Sequence, residues 1–323
     1  MYQLLALLDG AIISVMVAVN GRLTGSVGVY NAAAVIHIVG AAFALLLCLL
    51  AKKRLFKRTA LPLWAYLGGV IGVITTLFNN YAFARLSMTS IVALGLLGQC
   101  VTANVLDAYG LCAMARRRIS GASWLGIAMS CVGVVVMLEG WTSGGAAAVA
   151  ASLGAGVTAV MSRTVNSRLA GEAGALAGSF YNHLAGLPIC VALAAAIPAG
   201  QVVYPAAIKP WYLAGGMLGV AVVMLFNITV PKLPAFRLTL LSFLGQIFAG
   251  IAIDIACGRA ASSRLFWGGV VCAAGLLAGM LLERLERRKK QREARYWAQI
   301  RAAEDAHRRR VYGVGRAEPG RRP

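Results

Sequence analysis

NGRLTG, residues 20–25, and NSRLAG, residues 166–171, are one polar phrase written twice in a chain whose other letters are mostly Ala, Val, Leu and Gly. Set against itself at an offset of 146, the sequence is identical at eight of the 22 positions from 19 to 40. Val19, Asn20, Arg22, Leu23, Gly25, Gly28, His37 and Gly40 meet Val165, Asn166, Arg168, Leu169, Gly171, Gly174, His183 and Gly186. With one residue inserted, the match resumes between 64 and 107. There Trp64, Gly68, Gly69, Gly72, Asn80, Gly98, Gln99 and Asp107 meet Trp211, Gly215, Gly216, Gly219, Asn227, Gly245, Gln246 and Asp254. Apolar sequences share Leu, Ala and Gly by chance, but not Asn, Arg, His, Trp, Gln and Asp in order, so the chain is an internal duplication.

Composition says what was duplicated. Of 323 residues, 59% are hydrophobic and 13% charged, with mean hydropathy +0.75, which excludes the soluble globular class. Uncharged apolar runs of about 20 residues, the length that crosses a bilayer as a helix, recur throughout. Their continuity excludes the apolar-polar alternation of a barrel. Charged or Gly/Pro-marked breaks divide them into ten spans, at 3–21, 31–51, 64–84, 88–112, 121–140, 146–163, 174–197, 211–231, 235–257 and 265–283. The first span lacks the basic start and small-residue cleavage site of a secretion signal and reads as a retained helix. Five spans per half is an odd number, so the second copy starts on the opposite side of the membrane. The expected fold is all-α, ten transmembrane helices in two inverted five-helix repeats, and this arrangement suits alternating access. The units are then residues 1–140, 141–283 and a basic tail, 284–323.

Lys and Arg set the orientation. With the N-terminus inside, 26 of the 31 basic residues fall on cytoplasmic segments, Arg163 among them, and five fall outside. Both termini are expected in the cytoplasm. Fourteen of those charges lie in the tail, where Glu286 precedes Lys290 and Glu304 precedes Arg308 by one helical turn. That is a solvated helix attracted to anionic lipid, and no nucleic-acid motif accompanies it. Seven scattered cysteines read as free thiols rather than disulfides or metal ligands. No metal, cofactor or catalytic group is expected, and oligomeric state is open.

The Asn-x-Arg-Leu phrase closing the first span, a His and a Gly in the second, a Gly-Gln pair in the fourth and five spans per half together resemble the drug/metabolite transporter superfamily. Within it the chain is similar to the YdcZ-like family in a fused, double-length form, over residues 1–283. That resemblance implies a bacterial inner-membrane carrier that exports small molecules.

Polar groups inside a bilayer are costly, so each is a candidate for binding or coupling. Gln99 and Asp107, repeated as Gln246 and Asp254, lie broadly on one side of their helices and could face a cavity or hold helices together. Asp9 has no counterpart, since position 155 is Ala. A lone acid there suits exchange of a proton or a cationic substrate, or pairing with a basic residue. His37 and His183 are proton relays or helix-contact groups, and Asn80 and Asn227 bond a substrate or a neighbouring helix. Asn20 and Asn166 are expected at helix ends, as caps and anchors or as parts of a gate. The function expected is a secondary transporter of small polar or cationic metabolites or drugs, with the proton as coupling ion through Asp9. A membrane-embedded enzyme or a scaffold is the alternative, and the lack of a Walker-type loop argues against ATP hydrolysis within the chain.

Overall fold

A computed structural model describes residues 1–53, 55, 61–83, 86, 88–113, 116, 121–137, 145–197, 209–256 and 263–312. Among these the regular elements are helices. They run α1 (Tyr2–Val27), α2 (Val29–Leu50), α3 (Gly68–Phe83), α4 (Met88–Tyr109), α5 (Gly121–Met137), α6 (Gly145–Ala173), α7 (Ala175–Ala196), α8 (Ala214–Thr229), α9 (Ala235–Ala256) and α10 (Ser263–Tyr312). Single 3-10 turns at Leu63–Tyr66 and Pro210–Leu213 lead into α3 and α8 and carry Trp64 and Trp211.

Six stretches among the described residues are apolar and long enough to cross a membrane, in α1, α2, α6, α7, α9 and the Pro210–Thr229 segment ending in α8. Shorter apolar stretches occupy Gly68–Asn79 in α3 and Phe266–Leu282 in α10. Outward-facing Leu45 and Leu49 on α2, Val132 and Val135 on α5 and Leu277 and Leu281 on α10 are exposed. An apolar perimeter of this kind is stable against lipid and unstable against water. The 50 residues of α10 extend about 75 Å at 1.5 Å per residue, so more than half of this helix projects beyond a hydrocarbon core of about 30 Å.

The packing repeats itself when the halves are exchanged. α1 packs on α9 as α6 packs on α4, and α6 packs on α3 as α1 packs on α8; α2 meets α7, and α5 meets α10. Glycines allow these approaches. A Cβ on Gly98 would strike the Leu153 carbonyl, and one on its counterpart Gly245 would strike the Leu7 carbonyl. Residue i of one half thus packs on residue j of the other, and the reverse.

Two expectations are corrected. The first and sixth spans were expected to end near 21 and at 163, with Asn20 and Asn166 at helix ends. Instead α1 continues to Val27 and α6 to Ala173, so both asparagines lie inside helices. The breaks are single residues, Gly28 (φ 79°) and Gly174 (φ 90°), a repeat-matched pair in a conformation that side-chain-bearing residues rarely adopt. Polar letters interrupt hydropathy without interrupting backbone hydrogen bonding, so a hydropathy boundary was mistaken for a helix boundary. Arg163 therefore leaves the cytoplasmic loop count and joins the helix interior.

Candidate functional site

A cavity of about 400 Å³ lies between the halves. Among the described residues it is lined by the first three helices of each, α1 to α3 and α6 to α8, and not by α4, α5, α9 or α10. Its polar lining includes Asn20, His37, Arg163, Asn166, His183 and Asn227.

His37 and His183 meet at the interface of α2 and α7, ring centroids 5.7 Å apart and planes tilted by 52°. Each ring lies over the other half's glycine: a Cβ on Gly40 would run into His183, and one on Gly186 into His37. Each Nδ1 sits on the carbonyl one turn earlier, His37 on Ala33 at 3.0 Å and His183 on Ser179 at 2.9 Å. A carbonyl can only accept, so Nδ1 carries a proton in each ring.

The asparagines divide their labour. Asn166 Nδ2 donates to Asn182 Oδ1 at 2.7 Å, and Asn227 Nδ2 donates to the Ala175 carbonyl at 3.0 Å. The Oδ1 atoms of Asn227 and Asn20 are buried without a hydrogen-bond partner. Both residues line the cavity, but these two oxygens are closed off, and an unmet buried acceptor is costly.

Arg163 is the residue the sequence reading missed. It is 6% exposed and is the one permanently charged side chain on the described lining. Its guanidinium donates to Gln99 Oε1 at 3.4 Å and to the Thr239 hydroxyl, and it lies 5.3 Å from the centroid of the Phe226 ring. The signal available was an arginine at 163 where the first half has Val17, a departure inside an otherwise matched segment.

Other expected site residues lie elsewhere. Asp9 is 0% exposed and off this lining, with Oδ2 accepting from Ser242 Oγ at 3.3 Å and Oδ1 without a hydrogen-bond partner. Gln99 reaches the site only through Arg163. Asp107 receives the first-turn N–H groups of α9, from Ala235 at 3.0 Å and Phe236 at 3.1 Å, which caps a helix of the other half. Gln246 is half-buried off the lining, and its backbone carbonyl accepts from Ser14 Oγ at 2.6 Å. The side chains of Asn80 and Asp254 lie outside the described residues. Cys190 Sγ stands 3.5 Å from His37 Nδ1, but it is buried and off the cavity lining, so it is not placed as an accessible nucleophile. Among the described residues no cluster of three His, Cys, Asp or Glu could hold a metal.

A family model described as "Putative inner membrane exporter, YdcZ" matches the chain in two parts, residues 1–136 and 147–282. A solved structure known only as "Crystal structure of protein" is similar at a TM-score of 0.69 and 16% identity, over 88% of this chain and 97% of that one. That likeness concerns the fold alone. No curated protein matches.

Proposed function

The chain belongs to the YdcZ family of inner-membrane exporters, and from that premise we propose that it is a secondary transporter working by alternating access. The two five-helix halves are inverted repeats, both termini are cytoplasmic, and the cavity between α1–α3 and α6–α8 is the substrate site. The observation that carries this reading is the reciprocal packing of the halves about a polar-lined cavity. Two similar bundles rocking about such a cavity present it to one compartment and then the other.

Unequal packing of matched positions supports the same reading. Arg163 is 6% exposed while its counterpart Val17 is 48% exposed. A pseudo-symmetric carrier resting in one of its two states must pack its halves unequally, because symmetry is restored only by averaging over both states.

Proton coupling is carried by a separate observation, the burial of Asp9 with one oxygen unpartnered. A carboxyl so placed can take a proton from one side and release it to the other as the halves rock. The basic residues of α10 nearest the bilayer then meet anionic lipid headgroups.

Metabolite profiling of cells with and without the protein tests the transport reading, and reconstituted vesicles under an imposed pH gradient test the coupling. Transport indifferent to the gradient removes the proton. Labelling of Gly145→Cys from the same compartment as the carboxy terminus removes the inverted topology.

A further inference from the structure

The cavity carries one sign of permanent charge, and its placement points to a substrate class. Arg163 lies at the middle of α6 and is held by groups from three other helices: Gln99 on α4, Thr239 on α9 and Phe226 on α8. All three partners are neutral. Two of the five guanidinium N–H groups are used in these bonds, so donors remain on a side chain that is 94% buried and lines the cavity. Burying an arginine is expensive unless its charge is met. Asp9 and Asp107 act on this charge electrostatically, and neither stands on the described lining. A cationic substrate would meet this guanidinium with no carboxylate beside it on the lining.

Around the charge the lining turns apolar, with Met16, Val222, Val223 and Phe226. Asn20 and Asn227 belong to the same lining, while their Oδ1 atoms are themselves buried. The set fits a molecule with an anionic head and a small apolar body.

We infer that the transported substrate is a small organic acid whose carboxylate is received by Arg163 in the cavity between the halves. The inference rests on the transport reading above and favours an anion where the sequence suggested a polar or cationic substrate. A planar guanidinium matches a carboxylate with two parallel hydrogen bonds, which a lysine ammonium cannot do.

The test uses the full chain, purified and then reconstituted, with three probes that share a ring and differ in charge: benzoate, benzamide and benzylamine. Binding is read by tryptophan fluorescence or thermal stabilisation at millimolar probe. Benzoate is expected to bind at least about tenfold more tightly than benzamide, the discrimination of one charge-assisted hydrogen bond, and benzylamine to bind more weakly than either. In Arg163→Gln the preference for benzoate over benzamide disappears. In Arg163→Lys, which keeps the charge, the preference persists in reduced form, so the ranking remains readable if the glutamine variant does not fold. Absence of benzoate binding, benzylamine or benzamide binding as tightly as benzoate, or a benzoate preference surviving in Arg163→Gln overturns the inference. Counterflow in vesicles separates the two claims. Benzylamine flux sinks the anion and leaves the transporter, whereas benzoate that binds without flux leaves the anion site and sinks the transporter.

Discussion

Helices α1 and α6 hold the same place in the two halves and share the Val-Asn-x-Arg-Leu phrase, yet they distribute charge oppositely. α1 carries Asp9 where α6 has Ala155, and α6 carries Arg163 where α1 has Val17. What the repeat keeps is geometric: the joint glycines 28 and 174, the histidines seated on each other's glycines, and glycines 98 and 245 against opposing carbonyls. What the repeat drops is chemical. Duplication supplies two bundles that fit together in either of two ways, and the departures from duplication make the cavity select a molecule and the cycle respond to an ion.

Exchanging the departures is the strongest way to break this comparison. Arg163→Val makes the second half like the first and is expected to lower substrate affinity by about 2 to 5 kcal/mol, the cost of losing one partner of a buried charge pair. Val17→Arg in that background places the charge on the mirrored helix, at a position that is 48% exposed and off the described lining and that would reach the cavity in the carrier's opposite state. Partial recovery of transport by the double variant would show that the cavity reads charge and not the half it comes from. Counterflow with the best-bound probe measures both.

The next test acts on what the halves keep. Gly40→Ala forces His183 from its seat, and Gly186→Ala does the same to His37. Each is expected to cost about 1 to 3 kcal/mol of stability by overpacking, and the two costs should be similar. Thermal unfolding of each variant in detergent reads this, and a cost confined to one glycine would end the claim of equivalence at the histidine pair.

Asp9→Asn concerns a departure again, with a smaller effect. If one proton accompanies each substrate molecule, the accumulation ratio changes about tenfold per unit of imposed pH difference, and the variant loses that dependence while counterflow at equal pH continues. The sign follows from the geometry of exchange: export coupled to proton entry is driven by an acidic exterior. Accumulation by the variant that still follows the gradient excludes Asp9 from coupling.

The duplicated phrase made much of this legible in advance. A two-part all-helical membrane fold and the correspondence of His37 with His183 follow from matched letters and hydropathy, whereas the meeting of the two rings does not. The cavity lining was legible only in part. Asn20, His37, His183 and Asn227 line it, but Gln99, Asp107 and Gln246 do not. Helical periodicity says which residues share a face, and it does not say whether that face meets a cavity or another helix. In the fourth helix of the first half it meets α6 and α9. Arg163 was hidden for the opposite reason. A charge at the edge of an apolar run reads as the start of a loop, whereas here the helix passes through it and buries it.

Asp107 offers the smallest and most discriminating effect. Its carboxylate accepts the N–H groups of Ala235 and Phe236, which ties the end of α4 to the beginning of α9 and so one half to the other. Asp107→Ala leaves those donors unmet and is expected to cost about 1 kcal/mol, the usual worth of a helix cap. Asp107→Asn, keeping one acceptor oxygen, should cost less. In a carrier with two states the loss falls on the state that uses the bond, so a cost of about 1.4 kcal/mol would shift the population of this state about tenfold. By the repeat, Asp254 is the counterpart of Asp107. Asp254→Ala is therefore expected to shift the population the other way. Cysteine labelling from the two sides of the membrane reads the direction of each shift. Shifts of the same direction in both variants would mean that the two aspartates are equivalent caps and not opposed latches, and the symmetry would then be one of construction without being one of mechanism.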